Sequence, residues 1–225
     1  MLVSGKIEVV AAAVLFDADG VLVDSAASIR RTVAHWANLH GIDPEVAADA
    51  WHGRRAIDAI LELVPDADGA VEDALHEDVE VADAVTVTAM PGALDLVSLS
   101  DLRWAVVTGG SNRLVRARLT AAELPEPPVL VTGDMVSAGK PDPEGYLLAA
   151  SLLGVPAEAC VVVEDADAGV AAGLAAGCHV IGYGPLVTVN HPRVTRLDDL
   201  RRLRALTSRA TDRVTVSESS STESS

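Results

Sequence analysis

The chain has 225 residues, of which 49% are hydrophobic but only 3% aromatic, and a formal net charge of −16. It is long enough for one domain, or one domain with a small insert, around a core of Ala, Val and Leu. So acidic a chain is a poor general binder of nucleic acid or anionic membranes, and no apolar stretch reaches the ~18 residues of a membrane span.

Near the N-terminus, Glu8 interrupts the approach to the first apolar run, and that run ends in "FDADG" rather than at a small-residue cleavage site. The expectation is a cytoplasmic protein without a signal peptide. The two cysteines, Cys160 and Cys178, are too few for a disulfide framework or a four-ligand zinc site. Their apolar surroundings suit buried, inert thiols.

The first strand is expected at "VVAAAVLF" (9–16). Residues 26–88 then break into helical patterns. Ile29, Val33, Trp36 and Leu39 share one face, and Gly41 ends that helix. Ile57, Ile60, Leu61 and Val64 mark a second helix, and Val71, Leu75, Val79 and Ala82 a third. Trp36 and Trp51 are expected to fill the core of this all-helical insert. Strands follow at 104–110, 159–166 and 179–184, with a weaker one at 128–134. Their apolar residues run on without alternating, as in strands buried on both faces. Helical patterns at 111–124, 143–154 and 167–177 lie between them. Alternating strands and helices predict an α/β doubly wound, mostly parallel sheet. The expected divisions are a core of 1–25 and 89–207, a helical insert of 26–88, and a disordered Ser/Glu-rich tail of 208–225.

Ligands of such sheets bind at the carboxyl ends of the strands. The polar residues crowd there: Asp17 and Asp19 after the first strand, Thr108, Gly109 and Gly110 after the second, Glu164 and Asp165 after "ACVVV". Lys140 follows in "GKPDPEG". Each pair of like charges at ~4 Å, with an effective dielectric of ~20, costs about 4 kcal/mol. Carboxylates so placed call for a cation, and hard oxygen donors point to Mg²⁺ rather than Zn²⁺. Asp17 and Asp19 point the same way if the strand continues through them.

In this order, "FDADGVLVDS", "VVTGGS", "GKPDPEGY" and "VVVEDADAG" resemble the four motifs of the haloacid dehalogenase superfamily. The insert sits where a type C1 cap belongs, so the resemblance is to subfamily IA and covers about residues 10–205. "HGRRAIDAI" (52–60) is similar to the branch acting on sugar phosphates and glycerol phosphate. The resemblance implies that Asp17 attacks phosphorus and forms an aspartyl-phosphate. It implies that Asp19 protonates the leaving alcohol and then takes a proton from water. Mg²⁺ would be held by the Asp17 carboxylate, the Asp19 backbone carbonyl and Asp165, with Glu164 nearby. Thr108, the Gly109 amide and Lys140 would bind the phosphoryl group. In the cap, Arg55 and His52 are the expected substrate contacts, with Arg54 a solvated arginine. Asp167 is expected to cap the helix beginning near Ala168.

Within the superfamily, Asp19 separates the chain from C–Cl dehalogenases. Its only lysines are Lys6 and Lys140, so the cap lysine of phosphonatases is missing. Sugar phosphomutases carry a histidine where this chain has Ile29. A Mg²⁺-dependent phosphatase of small phosphorylated sugars or polyols is the leading expectation, acting as a monomer. A β-phosphoglucomutase-like mutase, a phosphoglycolate-type phosphatase and a non-catalytic metabolite sensor stay open as alternatives.

Overall fold

The computed structural model describes residues 6–99, 101–208 and 214–219. The first half of the chain runs β1 (Lys6–Ala11), β2 (Ala13–Phe16), β3 (Val23–Asp24), α1 (Ala26–His40), α2 (Pro44–Trp51), α3 (Ala56–Leu63), α4 (Gly69–Asp83), β4 (Thr88–Ala89) and α5 (Ala93–Val97). It continues with β5 (Trp104–Val107), α6 (Asn112–Ala121), β6 (Leu130–Val131), α7 (Glu144–Leu153), β7 (Cys160–Glu164), α8 (Asp167–Ala175), β8 (His179–Tyr183), β9 (Val194–Leu197), β10 (Leu203–Thr207) and β11 (Thr215–Ser219).

Six strands form the central sheet in the order β6-β5-β2-β7-β8-β9, with every neighbouring pair parallel. Strands β2, β5 and β7 are buried along their whole length, which is why their sequences do not alternate. Successive side chains point to opposite faces. Val14, Phe16, Val106, Val161 and Val163 pack with Leu96, Val115 and Leu119 of α5 and α6. Leu15, Ala105, Val107 and Val162 pack with Tyr146, Ala149, Val170 and Ala172 of α7 and α8. This is the expected doubly wound α/β sheet. The chain moves outward from β2 to β5 and β6, then crosses back to β7 on the other side of β2. The crevice at that switch point is where ligands of such folds bind.

The apolar run 9–16 is two strands, not one. Ala12 breaks it, and its N–H donates to the Ala159 carbonyl at 2.8 Å. Strand β1 joins a second sheet instead, parallel to β10 and antiparallel to β11. A uniform Ala/Val run holds no turn residue to signal the step. The tail expected at 208–225 also needs correction, because Thr215–Ser219 is a strand on β1. Its partly buried Val216 packs against the core beside Val214. Ser and Thr on an edge strand are no obstacle, although the composition alone reads as coil. Residues 209–213 and 220–225 of that tail lie outside the described residues.

The helical segment leaves and re-enters the core through the short antiparallel pair of β3 and β4. Helices α1–α4 enclose Val33, Trp36, Ala37, Ala47, Trp51 and Ile60. The indole rings of Trp36 and Trp51 lie 4.9 Å apart between centroids. Helix α2 is an addition to the sequence expectations. It starts on Pro44, and the Asp43 side chain accepts from the Glu45 N–H. No described helix is long and apolar enough to cross a membrane. Both cysteines are buried and free, and burial pushes each thiol up to about 12.

Candidate active site

Strand β2 ends at Phe16, and the Asp17 N–H still donates to Val163 at 3.0 Å. That bond fixes the Asp17 side chain at the carboxyl edge of the sheet, between the ends of β5 and β7. Lys140 arrives from the loop between β6 and α7. Its ammonium donates to Asp17 Oδ1 at 2.6 Å, Glu164 Oε1 at 2.5 Å and the Val107 carbonyl at 3.2 Å. Glu164 is 0% exposed. It also accepts from the Tyr146 hydroxyl at 2.6 Å and from the Asp165 N–H at 3.1 Å. One carboxylate oxygen from each of Asp17, Glu164 and Asp165 can be chosen so that all three lie within 4.8 Å of one another.

These groups are starved of solvent. Burial pushes the Asp17 carboxyl up to about 7; Lys140 pulls it down, while Glu164 and Asp19 push it further. Burial, followed by the charges of Asp17 and Glu164, pushes Asp165 up to about 8. Burial opposes the Lys140 charge, but Asp17 and Glu164 outweigh it and hold the ammonium above the ordinary lysine value. One ammonium holds two of the three carboxylates, so the cluster carries surplus negative charge when all three are ionised. An all-oxygen donor set of this kind fits a hard cation. Asp17 and Asp165 offer the freer oxygens, since those of Glu164 are already engaged by Lys140, Tyr146 and the Asp165 N–H.

Residues 11–177 match the family model described as haloacid dehalogenase-like hydrolase. The chain belongs to that family. It is 44% identical over 190 residues to hexitol phosphatase A of Escherichia coli, covering 82% of this chain and 87% of the relative. It is 33% identical over 186 residues to glycerol-1-phosphate phosphohydrolase 2 of Saccharomyces cerevisiae, covering 76% and 73%. The crystal structure of CbbY from Rhodobacter sphaeroides in complex with phosphate superposes with a TM-score of 0.73 at 26% identity, covering 87% of this chain and 97% of that one.

In this haloacid dehalogenase-like hydrolase the two aspartates of "DADG" do not point the same way. The strand stops, and Ala18 accepts backbone N–H groups from Leu22 and Val23 in a tight turn. Asp17 faces Lys140, while Asp19 turns to Arg118 of α6, whose Nη1 lies 2.9 Å from both of its oxygens. Gly20 makes the turn feasible. Its φ is +74°, and a Cβ there would fall 1.9 Å from Asp165 Oδ2. Thr108 is buried at the end of β5, and its Oγ1 accepts from the Gly110 N–H at 3.1 Å. Its own hydroxyl proton is therefore free to be donated elsewhere.

The cap reaches the core at residues 53–55. Gly53, at φ +70°, comes so close that a Cβ would lie 2.6 Å from the Ala166 methyl. The Arg54 backbone packs on Gly109. The expected cap contacts fare unevenly. Arg55 lines a small cavity with Thr108, Gly109 and Lys140. Its guanidinium is already held, by Asp58 through two 2.7 Å bonds and by the Val136 carbonyl at 3.0 Å. His52 is exposed at the end of α2. Arg54 pairs with Glu62 at 2.7 Å within the cap. Asp167 does not cap α8. Its carboxylate accepts from the Thr188 N–H at 2.6 Å, the Val189 N–H at 3.2 Å and the Thr188 hydroxyl, and so pins the loop after β8.

Arg118 carries no motif and stands outside the sequence expectations. A signal exists nonetheless. Leu114, Val115, Leu119 and Ala122 define the apolar stripe of α6, and helical spacing puts Arg118 on the same stripe. A charge there needs a buried partner.

Proposed function

We propose that this hydrolase is a Mg²⁺-dependent phosphatase of small phosphorylated sugars or polyols, with Asp17 as nucleophile. One observation carries the reading: the buried Asp17 carboxylate is gripped by Lys140 at the edge of an oxygen-only cluster at the sheet's switch point. The phosphatases of hexitols and of glycerol 1-phosphate among its relatives support the substrate class.

In the first step an Asp17 oxygen attacks phosphorus, and the bond from phosphorus to the alcohol oxygen breaks. Asp19 gives that oxygen a proton. In the second step Asp19 takes a proton from water as the water oxygen attacks the aspartyl-phosphate. The phosphorus–aspartate bond breaks, phosphate leaves and Asp17 is regenerated. The Lys140 ammonium, the Thr108 hydroxyl and the Gly109 N–H serve the oxygens on which charge spreads. Asp17, Asp165 and the Asp19 backbone carbonyl would hold Mg²⁺, with Glu164 behind them orienting Lys140. When bound, the ion supplies the positive charge that lets an anionic carboxylate meet an anionic ester.

The substrate is a small phosphorylated metabolite, met by one chain whose own cap covers the site. We place the protein in the cytoplasm as a monomer. The test is phosphate release from a panel of sugar, polyol and glycolate phosphates with and without Mg²⁺. Selective, Mg²⁺-dependent release from sugar or polyol esters supports the reading. Release only from phosphoglycolate, or none at all, contradicts it.

A further inference from the structure

Arg118 is 2% exposed, on the inner face of α6 beside Leu114, Val115 and Leu119. A guanidinium taken so far from water requires anionic partners. It has two, from different parts of the chain. Nη1 contacts both oxygens of Asp19, and Nη2 donates to Glu80 Oε1 at 2.9 Å. Glu80 lies on cap helix α4 and is itself buried. Arg118 Nε finds no hydrogen-bond partner among the described residues. The guanidinium is thus oriented toward its two carboxylates at the cost of one unused donor. The Asp19 side chain, by contrast, keeps 23% of its surface exposed. It is the open end of the chain Glu80–Arg118–Asp19, two residues along from Asp17.

We propose that Arg118 is a positioning residue for the leaving-group acid. It fixes the Asp19 carboxylate, and Glu80 of the cap fixes Arg118 in turn. This rests on the role given to Asp19 above. An acid that must deliver a proton to one oxygen, then take one from a water at the same place, works only from a defined position. Asp19 sits in a turn after the strand has ended, so backbone pairing alone does not aim its side chain. The two contacts from Nη1 do, and they leave each oxygen with a further lone pair. The support is complete only when α4 is packed against α6, because Glu80 holds the far side of the guanidinium.

The role separates from a purely structural one by leaving-group dependence. Protonation matters for an alkoxide leaving group and little for a nitrophenolate. The constant kcat/KM reports the steps up to release of that group. The experiment compares glycerol 1-phosphate with 4-nitrophenyl phosphate, with Mg²⁺ present, in the full-length protein. For Arg118→Lys the expected loss in kcat/KM is ~30-fold or more with the glycerol ester and under ~3-fold with the nitrophenyl ester, a share of the ~10²–10⁴-fold that general acid catalysis supplies. Glu80→Gln shifts the same ratio in the same direction by less, and decides the matter should Arg118→Lys fail to fold. In an Asp19→Asn background, Arg118→Lys leaves the ratio where Asp19→Asn put it, since one residue acts through the other. Equal losses with both esters, an unchanged ratio, or a further drop in the Asp19→Asn background overturns the proposal. Should the wild-type protein spare glycerol 1-phosphate, the sugar or polyol ester it does hydrolyse takes that place in the comparison; failure to hydrolyse any of them contradicts the phosphatase reading itself, and the proposal falls with it.

Discussion

Lys140 donates to Asp17 across 2.6 Å, a contact between residues 123 positions apart that joins two loops at the carboxyl edge of the sheet. The same ammonium holds Glu164, so one cation compensates two buried carboxylates. Removing it leaves both uncompensated. Lys140→Met is expected to cost ~3–5 kcal/mol of stability, the usual result of breaking a buried pair from one side. Urea unfolding measures that loss, and phosphate release is expected to fall with it. Unchanged stability would mean that the carboxylates take up protons instead.

The cluster sets a pH dependence with a definite sign. Burial raises Asp17 to about 7, Glu80 to about 7 and Asp165 to about 8, all above their unfolded values. A carboxyl raised on folding binds more protons folded than unfolded, so stability falls as pH rises through the folded value. His76 is lowered to about 4 by burial, and its opposite contribution is complete by about pH 6.5. In chelator, the Tm is therefore expected to fall from about pH 5 to about pH 8, between the unfolded and folded values of these carboxyls, and to level off above that. A loss of ~1 kcal/mol corresponds to ~2–4 °C in a chain of this size. Mg²⁺ is expected to narrow the drop and to bind more tightly at the higher pH, because binding needs the unprotonated carboxylates. A Tm that rises with pH in chelator would contradict this.

Gly20 stands at φ +74°, with no room for a Cβ beside Asp165. Gly20→Ala is expected to destabilise the fold by ~1–3 kcal/mol through the left-handed conformation alone. It must also displace the Asp165 carboxylate. The discriminating measurement is Mg²⁺ binding by calorimetry, where the expected effect exceeds that of an alanine placed at exposed Gly154, also at positive φ but with open space around it.

Arg55 ties the cap to the core through the Val136 carbonyl and is itself held by Asp58. Arg55→Lys keeps the charge but loses the fork. It is expected to cost ~1.5–3 kcal/mol, the scale of hydrogen bonds to a charged group. A KM increase common to all esters would indicate loss of cap docking. An increase confined to the bulkier sugar phosphates would restore Arg55 as a substrate contact.

The sheet is largely legible in the sequence because its strands are buried on both faces and its helices carry clear stripes. The grouping of Asp17, Lys140, Glu164 and Asp165 is legible for a related reason: each ends or follows a strand that the apolar runs already locate. Three features escape. The step at Ala12 is invisible because Ala on either side of it is equally at home in a strand. Strand Thr215–Ser219 is hidden by a composition that fits coil, and its place is set by pairing with β1 and by Val216 packing on the core. The partners of Asp167 and Asp19 lie 21 and 99 positions away, so no local pattern specifies them. Asp167 occupies a position suited to capping, yet loop amides compete for it more effectively. Arg118 shows itself only as a charge out of place on an apolar stripe.

The most direct test is whether phosphate becomes bonded to Asp17. The enzyme is mixed with a hydrolysed ester and Mg²⁺, quenched in acid within the first turnover, digested and weighed by mass spectrometry. A phosphate adduct on the peptide containing Asp17, absent from Asp17→Asn together with turnover, is the predicted result. Steady hydrolysis by Asp17→Asn, or an adduct on any other residue, would contradict the assignment of Asp17 as the nucleophile.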